Sequence, residues 1–284
     1  MNNSQSWTLH IKPKGKLWDI DFSELWAYRD LYSMFVKRNI ITQYKQTILG
    51  PLWFIIQPLL TTFMYMVVFG GIAGISTDGL PQALFYLSGI LCWNYFADCL
   101  NSTSSTFTAN QAIFGKVYFP RLIIPLATVT SNLVRLAIQF LLLVVVYTYF
   151  LIFTDFSFSA NWALLLFPLL VLILAGLALG FGMVITSLTT KYRDLTILFT
   201  FLVQLWMYAT PVIYPLSTIS NPDVRLAMSL NPITGVVESF KYSILGVGEF
   251  SWGLLGYSAG FMIVIFILGL VAFNKVQRSF MDTI

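Results

Sequence analysis

The sequence has little charge and few of the side chains that usually carry catalysis. Of its 284 residues, 10% are Asp, Glu, Lys or Arg, whereas an ordinary soluble domain has about a quarter. It has one histidine, His10, and two cysteines, Cys92 and Cys99. One imidazole makes neither a metal site nor a catalytic dyad. The cysteines lie seven positions apart on one predicted helix, about 10.5 Å along its axis and too far for a disulfide, so we predict packing roles for both.

Motifs for nucleotide binding and hydrolysis are also missing. The sequence has no G-x-x-x-x-G-K-[ST] phosphate loop, no G-x-S-x-G, no H-E-x-x-H and no paired cysteines with metal-ligand spacing. It also lacks the relay of buried carboxylates and the repeated halves that are typical of ion-coupled carriers. We therefore predict no enzyme activity, metal or cofactor on this chain. The energy for any transport is expected to come from outside it.

Long hydrophobic runs make up much of the sequence. Of its residues, 57% are hydrophobic, and the mean hydropathy is +0.78. A helix needs about 20 apolar residues to cross the hydrocarbon core of a bilayer. Runs of this length predict an all-α membrane protein with six transmembrane helices. The predicted spans are Leu52 to Gly71, Ala83 to Leu100, Leu122 to Phe150, Trp162 to Leu188, Leu195 to Tyr214 and Leu254 to Phe273.

Basic residues are concentrated in alternate connecting segments. With the N-terminus inside, 13 of the 16 Lys and Arg residues fall in cytoplasmic segments, Arg225 and Lys241 fall outside, and Arg135 lies in a span. The positive-inside rule then places both termini in the cytoplasm. The net charge of +4 is explained by this topology, so we predict no nucleic-acid partner.

Residues 1–50 are predicted to form a cytoplasmic tail and an amphipathic interface helix, and residues 51–284 the transmembrane domain. The apolar side chains before the first span fall within about half of a helix circumference. They are Leu25, Tyr28, Leu31, Tyr32, Phe35, Val36 and Ile40. Two interpretations stay open, a juxtamembrane helix attracted to lipid and a docking surface for a cytoplasmic partner. Gly50 and Pro51 predict a rigid elbow between this helix and the first span.

The segment before the last span is cut by prolines into apolar pieces shorter than a span. We interpret residues 215–250 as external re-entrant helices that form an outer gate. The gate residues are Pro215, Asn231, Pro232, Glu238 and Lys241. Glu238 and Lys241, at positions i and i+3, are expected to form a local ion pair.

Several residues inside the spans are candidates for a translocation path. Aromatic side chains suit sugar rings, which stack on their faces. The candidates are Tyr65, Tyr95, Arg135, Trp206 and Tyr208. Arg135 and Asp98 are the clear charges within spans, but their counted depths differ by more than about 10 Å, so we expect them not to pair. Small-residue spacing in Gly176/Gly180 and Gly256/Gly260 predicts close helix packing.

An ordered set of motifs covers nearly the whole chain. These are QYKQTILGPLWFIIQPLL after the amphipathic helix, FGKVYFPRLIIPL between spans two and three, KYRDL before span five, and TPVIYPLSTI followed by NPITGVVESFKYSIL before span six. The set resembles the permease subunit of type 2 ABC exporters, in particular the branch that exports O-antigen, capsule and teichoic-acid polymers.

The resemblance implies a homodimer in a bacterial inner membrane, joined to two ATPase subunits that bind ATP and Mg²⁺. It implies that two segments dock the ATPase. The residues concerned are Phe35, Lys37, Arg38, Tyr44 and Lys45, then Phe114, Lys116, Phe119, Pro120 and Arg121. The expected function is export of a lipid-linked polysaccharide. The alternatives are an ABC permease for a small hydrophobic drug or lipid, an ion-coupled carrier and a membrane glycan-modifying enzyme.

Overall fold

The computed structural model describes residues 22–45, 47–154, 161–192, 194–246, 248 and 250–279. Within these ranges the chain is almost entirely helical and has no β-strand. The tail at residues 1–21, with His10, lies outside the described residues, as does Arg193. Among the described residues, five helical segments are long and apolar enough to cross a membrane.

The N-terminal helical segment consists of α1 (Phe22–Ala27) and α2 (Arg29–Tyr44). Its predicted apolar face is confirmed, because Phe35 is buried and its neighbours on that face pack against the core. Lys37 and Arg38 point away from the core and are exposed. Alternation of apolar and polar side chains at helical spacing therefore fixes how this segment lies on the bundle.

The elbow follows α2. Gly50 has φ +50°, a left-handed conformation that is free of strain only for glycine. It begins a short 3-10 turn, Gly50–Leu52, with Pro51 in the first turn, and α3 (Trp53–Tyr65) continues directly from it. The C-terminal end of α3 continues as a π-helix, Met66–Ile72. The first span thus runs over Gly50–Ile72.

The centre of the bundle is α4 (Gln82–Ser104), which is buried along most of its length. Two short helices, α5 (Thr106–Ala109) and α6 (Gln111–Phe114), lead from it to α7 (Ile123–Phe153). The bundle end that carries α2 and α6 is called the α2 end. The opposite end, where α4 begins, is the α11 end.

The chain returns through a 3-10 turn, Trp162–Leu166, and α8 (Phe167–Thr189), and the last span is α12 (Trp252–Ser279). Close packing at the first predicted glycine pair is confirmed, because a Cβ at Gly180 would lie 2.8 Å from the backbone nitrogen of Phe266. For Gly256 and Gly260 close packing within the chain is not confirmed, since no atom of the described residues lies within 4 Å of a Cβ built at either position. Gly269 instead faces the backbone of Gly180.

The predicted span Leu195 to Tyr214 contains the shorter helix α9 (Leu195–Tyr208). Fourteen residues rise about 21 Å, less than the roughly 30 Å hydrocarbon core, so a count of six full-length helices is not confirmed. After α9 a buried non-helical turn continues to Val212, whose carbonyl oxygen would lie 2.7 Å from a Cβ on Gly89 of α4. Helix and turn together reach the α11 end.

Three short elements fill the segment between α9 and α12. These are a 3-10 turn, Leu216–Thr218, and the helices α10 (Pro222–Ser229) and α11 (Thr234–Leu245). They differ sharply in burial. No residue of α10 is buried, whereas nearly every residue of α11 is. The predicted break into short helical pieces is confirmed, and their position relative to a membrane stays a prediction.

Candidate functional site

At the α2 end, α2 packs against α7 through two side-chain hydrogen bonds. The Tyr32 hydroxyl lies 2.6 Å from the Thr130 hydroxyl, and Gln43 donates to the Asn132 side-chain oxygen at 3.4 Å. Tyr32 and Gln43 are 11 positions apart, about 16 Å along α2, but their partners are two positions apart, about 3 Å along α7. The two helices therefore cannot be parallel. This is the geometry expected of a helix that lies across the end of a span.

An aromatic cluster joins α2 to the loop between α6 and α7. The Phe119 ring lies 5.7 Å from Phe35 and 5.8 Å from Phe114, and all three side chains are buried. The Arg38 guanidinium lies over the Phe35 ring at 4.6 Å. The structure thus brings together the two segments predicted to dock a partner. Its phenylalanines face one another inside the protein, so they support the surface instead of forming it.

The exposed part of this surface is basic. The side chains of Lys37, Arg38, Lys45 and Lys116 are exposed, while Pro120 and Arg121 are half-buried. The side chain of Tyr44 lies outside the described residues. We use the name basic surface for the four exposed residues.

Arg121 connects the loop to the last span. Its guanidinium donates to the Gln277 carbonyl oxygen at 3.0 Å and lies 5.1 Å from the centre of the Phe114 ring. Burial lowers the pKa of Arg121, but a guanidinium remains protonated in proteins. The loop, α2 and α12 are therefore held as one unit at the α2 end.

The structure corrects the prediction that Asp98 and Arg135 lie apart. Arg135 Nη1 and Asp98 Oδ2 are 2.6 Å apart, and Arg135 Nη2 donates to the Gln57 side-chain oxygen at 3.0 Å. The guanidinium also lies 5.5 Å from the centre of the Phe54 ring. This polar cluster links α3, α4 and α7. Gln57 and Phe54 were not predicted, since neutral side chains in a span give no sign of their partner.

The depth estimate failed because it counted from the ends of the hydrophobic runs. The helix α4 continues through a turn into α5, which ends at Ala109, 11 positions beyond Asp98. Arg135 lies 12 positions after Ile123, the start of α7. Counted from the ends of the helical structure, both lie at about the same depth, roughly 16 to 18 Å. The neighbouring contact between Asn132 and Cys99 confirms that α4 and α7 run antiparallel here.

The predicted path residues differ in burial and in their contacts, and their role in a path stays a prediction. Tyr95 is buried, and the Trp206 ring packs edge-on against Phe96 and Phe181. Tyr65 donates to the sulfur of Met207, while Tyr208 is exposed. The buried, free cysteines Cys92 and Cys99 agree with packing roles.

At the α11 end, the predicted gate residue Asn231 makes four hydrogen bonds through its side chain. Its oxygen accepts from Trp206 Nε1 at 3.1 Å and from the backbone nitrogen of Ile233 at 3.2 Å. Its nitrogen donates at 2.9 Å to the Ala209 carbonyl oxygen and to the Thr210 hydroxyl. Asn231 thereby fixes the start of α11 to the end of α9.

Lys241 is fully buried and binds the non-helical turn that follows α9. Its ammonium donates to the carbonyl oxygens of Pro211 at 2.6 Å and Val212 at 3.3 Å, and lies 3.6 Å from the centre of the Phe85 ring. Glu238 is buried one turn earlier on the same helix. The predicted gate residues Pro215 and Pro232 are also buried. The sequence did not predict that backbone carbonyls bind Lys241, because every residue has a carbonyl and the sequence does not show which ones lie near the ammonium.

Curated relatives match over most of the chain. It is 29% identical to the O-antigen export system permease protein RfbA of Myxococcus xanthus over 219 residues, which are 77% of this chain and 81% of the relative. It is 26% identical to a protein of the same name from Klebsiella pneumoniae over 254 residues, 89% and 94% of the two chains. It is 24% identical to the polysialic acid transport protein KpsM of Escherichia coli over 255 residues, 87% and 93%.

The family model for the ABC-2 type transporter matches residues 30–245, about three quarters of the chain. This range begins in α2 and ends with the last residue of α11, so it contains the basic surface, the polar cluster and the segment before the last span. The chain belongs to the ABC-2 type transporter family.

Proposed function

We propose that this chain is the permease subunit of an exporter that moves a lipid-linked polysaccharide across the bacterial inner membrane. The observation that carries the proposal is the extent of the similarity. Relatives named for O-antigen export and for polysialic acid transport align with 77% to 89% of this chain. Both names refer to long hydroxylated polymers. We therefore expect a polysaccharide instead of a small hydrophobic cargo.

The α2 end is proposed to face the cytoplasm, with both termini on that side. The basic surface supports this orientation, because Lys and Arg favour cytoplasmic segments. The α11 end would then face outward.

ATP hydrolysis is proposed to occur on a separate ATPase subunit that binds ATP and Mg²⁺ and docks on the basic surface. The buried aromatic cluster next to Lys37 and Arg38 supports this proposal. Because the Phe35 ring of α2 packs against Phe119 of the α6–α7 loop, a displacement of α2 would also displace the loop. From α2 the elbow at Gly50 leads directly into α3. Movement of the partner would thus reach the first span within a few residues.

A homodimer is proposed, with the path between two copies. Burying hydroxyl groups without partners costs several kcal/mol each, so a glycan needs a polar route through the bilayer. The outward faces of α3 and α9 support the proposal, since they hold exposed apolar side chains that lipid or a second copy must cover. On α9 these are Ile197, Leu198, Phe201, Leu202, Leu205 and Tyr208.

Deletion of the gene in its own host tests the function. We expect the strain to lose a surface polymer, seen by gel electrophoresis of surface glycans, and to regain it when the gene is supplied on a plasmid. Unchanged surface polymer together with increased sensitivity to hydrophobic drugs would contradict the proposal and favour a drug or lipid permease.

Charge reversal tests the docking surface. The double variant Lys37→Glu/Arg38→Glu should reduce co-purification of the ATPase and export together, because both side chains are exposed and reversing their charge would repel an acidic partner surface. The matched control, Lys37→Arg/Arg38→Lys, keeps both charges and should retain both activities. Normal ATPase binding by the reversed variant would exclude this surface as the docking site.

A further inference from the structure

The segment before the last span contains two parts that differ in how they are held. One is α11, and the other is the strap, defined as residues 219–230 and including α10. The sequence predicts a single gate over residues 215–250. The packing of the two parts indicates that they do not act as one body.

The helix α11 is fixed on all sides. Lys241 binds the carbonyl oxygens of Pro211 and Val212, and Asn231 ties its start to the end of α9. A Cβ at Gly235 would lie 2.7 Å from the Leu254 carbonyl oxygen, so the backbones of α11 and α12 are in direct contact. Interiors packed this closely do not slide without breaking many contacts.

The strap is held differently. None of the residues of α10 is buried, and the apolar side chains Val224, Leu226 and Leu230 of the strap are exposed. An open cavity of about 450 Å³ lies between Val224 and Met228 on one side and residues 73–76 on the other. On this side the helix therefore borders open space instead of a packed core. Segments with few buried contacts open at a low free-energy cost.

Both ends of the strap are anchored. Before it, Leu216 is buried. After it, the Leu230 carbonyl oxygen accepts from the Tyr257 hydroxyl at 2.8 Å, and Asn231 follows with its four bonds. Within the strap, Met228 adds contacts near the second end, where its sulfur lies 3.4 Å from the Tyr214 hydroxyl and its carbonyl oxygen accepts from the Thr234 hydroxyl at 2.8 Å. A segment that is fixed at both ends and has no buried residue in its helix can swing about its ends without unfolding.

A polar contact beside the first anchor ties the turn that precedes the strap to the facing loop. The Ser217 hydroxyl lies 2.9 and 2.7 Å from the two carboxylate oxygens of Asp78. Asp78 is presented by a tight turn in which the Leu80 nitrogen donates to the Thr77 carbonyl oxygen at 3.0 Å. Asp78 and Gly79 have φ values of +54° and +77°, as the two central residues of a type I′ turn require. Because the contact is exposed, water competes for it and a small force can break it.

We propose that the strap is the moving part of the outer gate, swinging away from residues 73–76 while α11 stays in place. The proposal rests on the proposed function, since the opening would serve passage of the exported polymer. The hydroxyls of Ser76, Tyr214 and Thr218 line the cavity that opens, which suits a hydroxylated chain.

Two crosslinks, one on the strap and one on α11, test whether the strap moves while α11 stays in place. In a Cys92→Ala/Cys99→Ala background, the pair Ile75→Cys/Val224→Cys joins the strap to the facing loop across the cavity. The control pair Asn161→Cys/Tyr242→Cys joins α11 to the start of the 3-10 turn before α8, where the Asn161 side chain reaches the Tyr242 carbonyl oxygen at 3.4 Å. A short bis-maleimide crosslinker with a disulfide in its spacer is added to cells, and newly displayed surface polymer is measured before and after cleavage of that disulfide with a membrane-impermeant reductant.

We expect the strap crosslink to reduce new surface polymer to the level of the deletion strain, and cleavage to restore it in the same cells. The α11 crosslink should leave export unchanged. Normal export with the strap crosslinked would overturn the proposal, and so would loss of export with the α11 crosslink. Neither result would affect the proposed function, which fails only if deletion of the gene leaves the polymer in place.

Discussion

The ion pair between Asp98 and Arg135 gives the sharpest test of the structure. Removing one partner of a buried pair leaves an uncompensated charge and costs about 3–5 kcal/mol. Here 30% of the Asp98 side chain and 19% of the Arg135 side chain remain exposed. We therefore expect a cost at the lower end of this range, about 3 kcal/mol, for Asp98→Asn or for Arg135→Gln. At the 2–4 °C per kcal/mol that is typical of chains of this size, each change should lower the unfolding temperature by roughly 6–12 °C.

The double variant decides whether the two residues interact. Asp98→Asn/Arg135→Gln removes both charges and leaves two neutral amides of similar shape, so it should cost about as much as either single change. The coupling free energy would then be about 3 kcal/mol, the upper end for directly contacting residues. Unfolding temperatures of the purified protein in detergent, followed by size-exclusion fluorescence, provide the measurement. The exposed change Lys191→Gln is the control and should cost no more than about 0.5 kcal/mol. Additive losses of the two single variants would refute the ion pair.

Glycine substitutions give two further predictions. Gly50→Ala should cost about 1–2 kcal/mol, because φ is +50° at the elbow, whereas Gly115→Ala, with φ −80° and open space, should change stability by less than about 0.5 kcal/mol. Equal unfolding temperatures for these two variants would contradict the elbow geometry. Gly269→Ala places a methyl group against the Gly180 carbonyl and should cost about 1–3 kcal/mol, while Gly260→Ala meets nothing within 4 Å. A stable Gly269→Ala variant with wild-type expression would exclude the close approach of α8 and α12.

The helical architecture was predictable because a membrane-spanning helix can be recognised in a sequence by the length and hydropathy of its apolar run. The face of α2 was predictable for a related reason, since apolar side chains at helical spacing must all turn to the core. The ends of helices were harder to predict. Pro211 marks the break after α9, but only the carbonyl contacts of Lys241 show that the break is built into the core.

The contacts within the candidate site were predicted less completely. The resemblance located the two segments that meet at the α2 end, but it could not show that Phe35, Phe114 and Phe119 turn inward. Whether an aromatic side chain forms a surface or supports it depends on the angle between α2 and the loop. The partners of Arg135 depended on relative helix depth, which sequence counting fixes only to within a few residues.

The polar character of α4 has a consequence for biogenesis. It is the least hydrophobic of the five long helices and contains Asp98, yet it is synthesised 37 positions before the cation that neutralises this carboxylate. A nascent α4 alone in lipid would expose an unpaired charge, at a cost of a few kcal/mol. We therefore expect the translocon to retain α4 until α7 has emerged, so that the two helices are released into the bilayer as a hairpin.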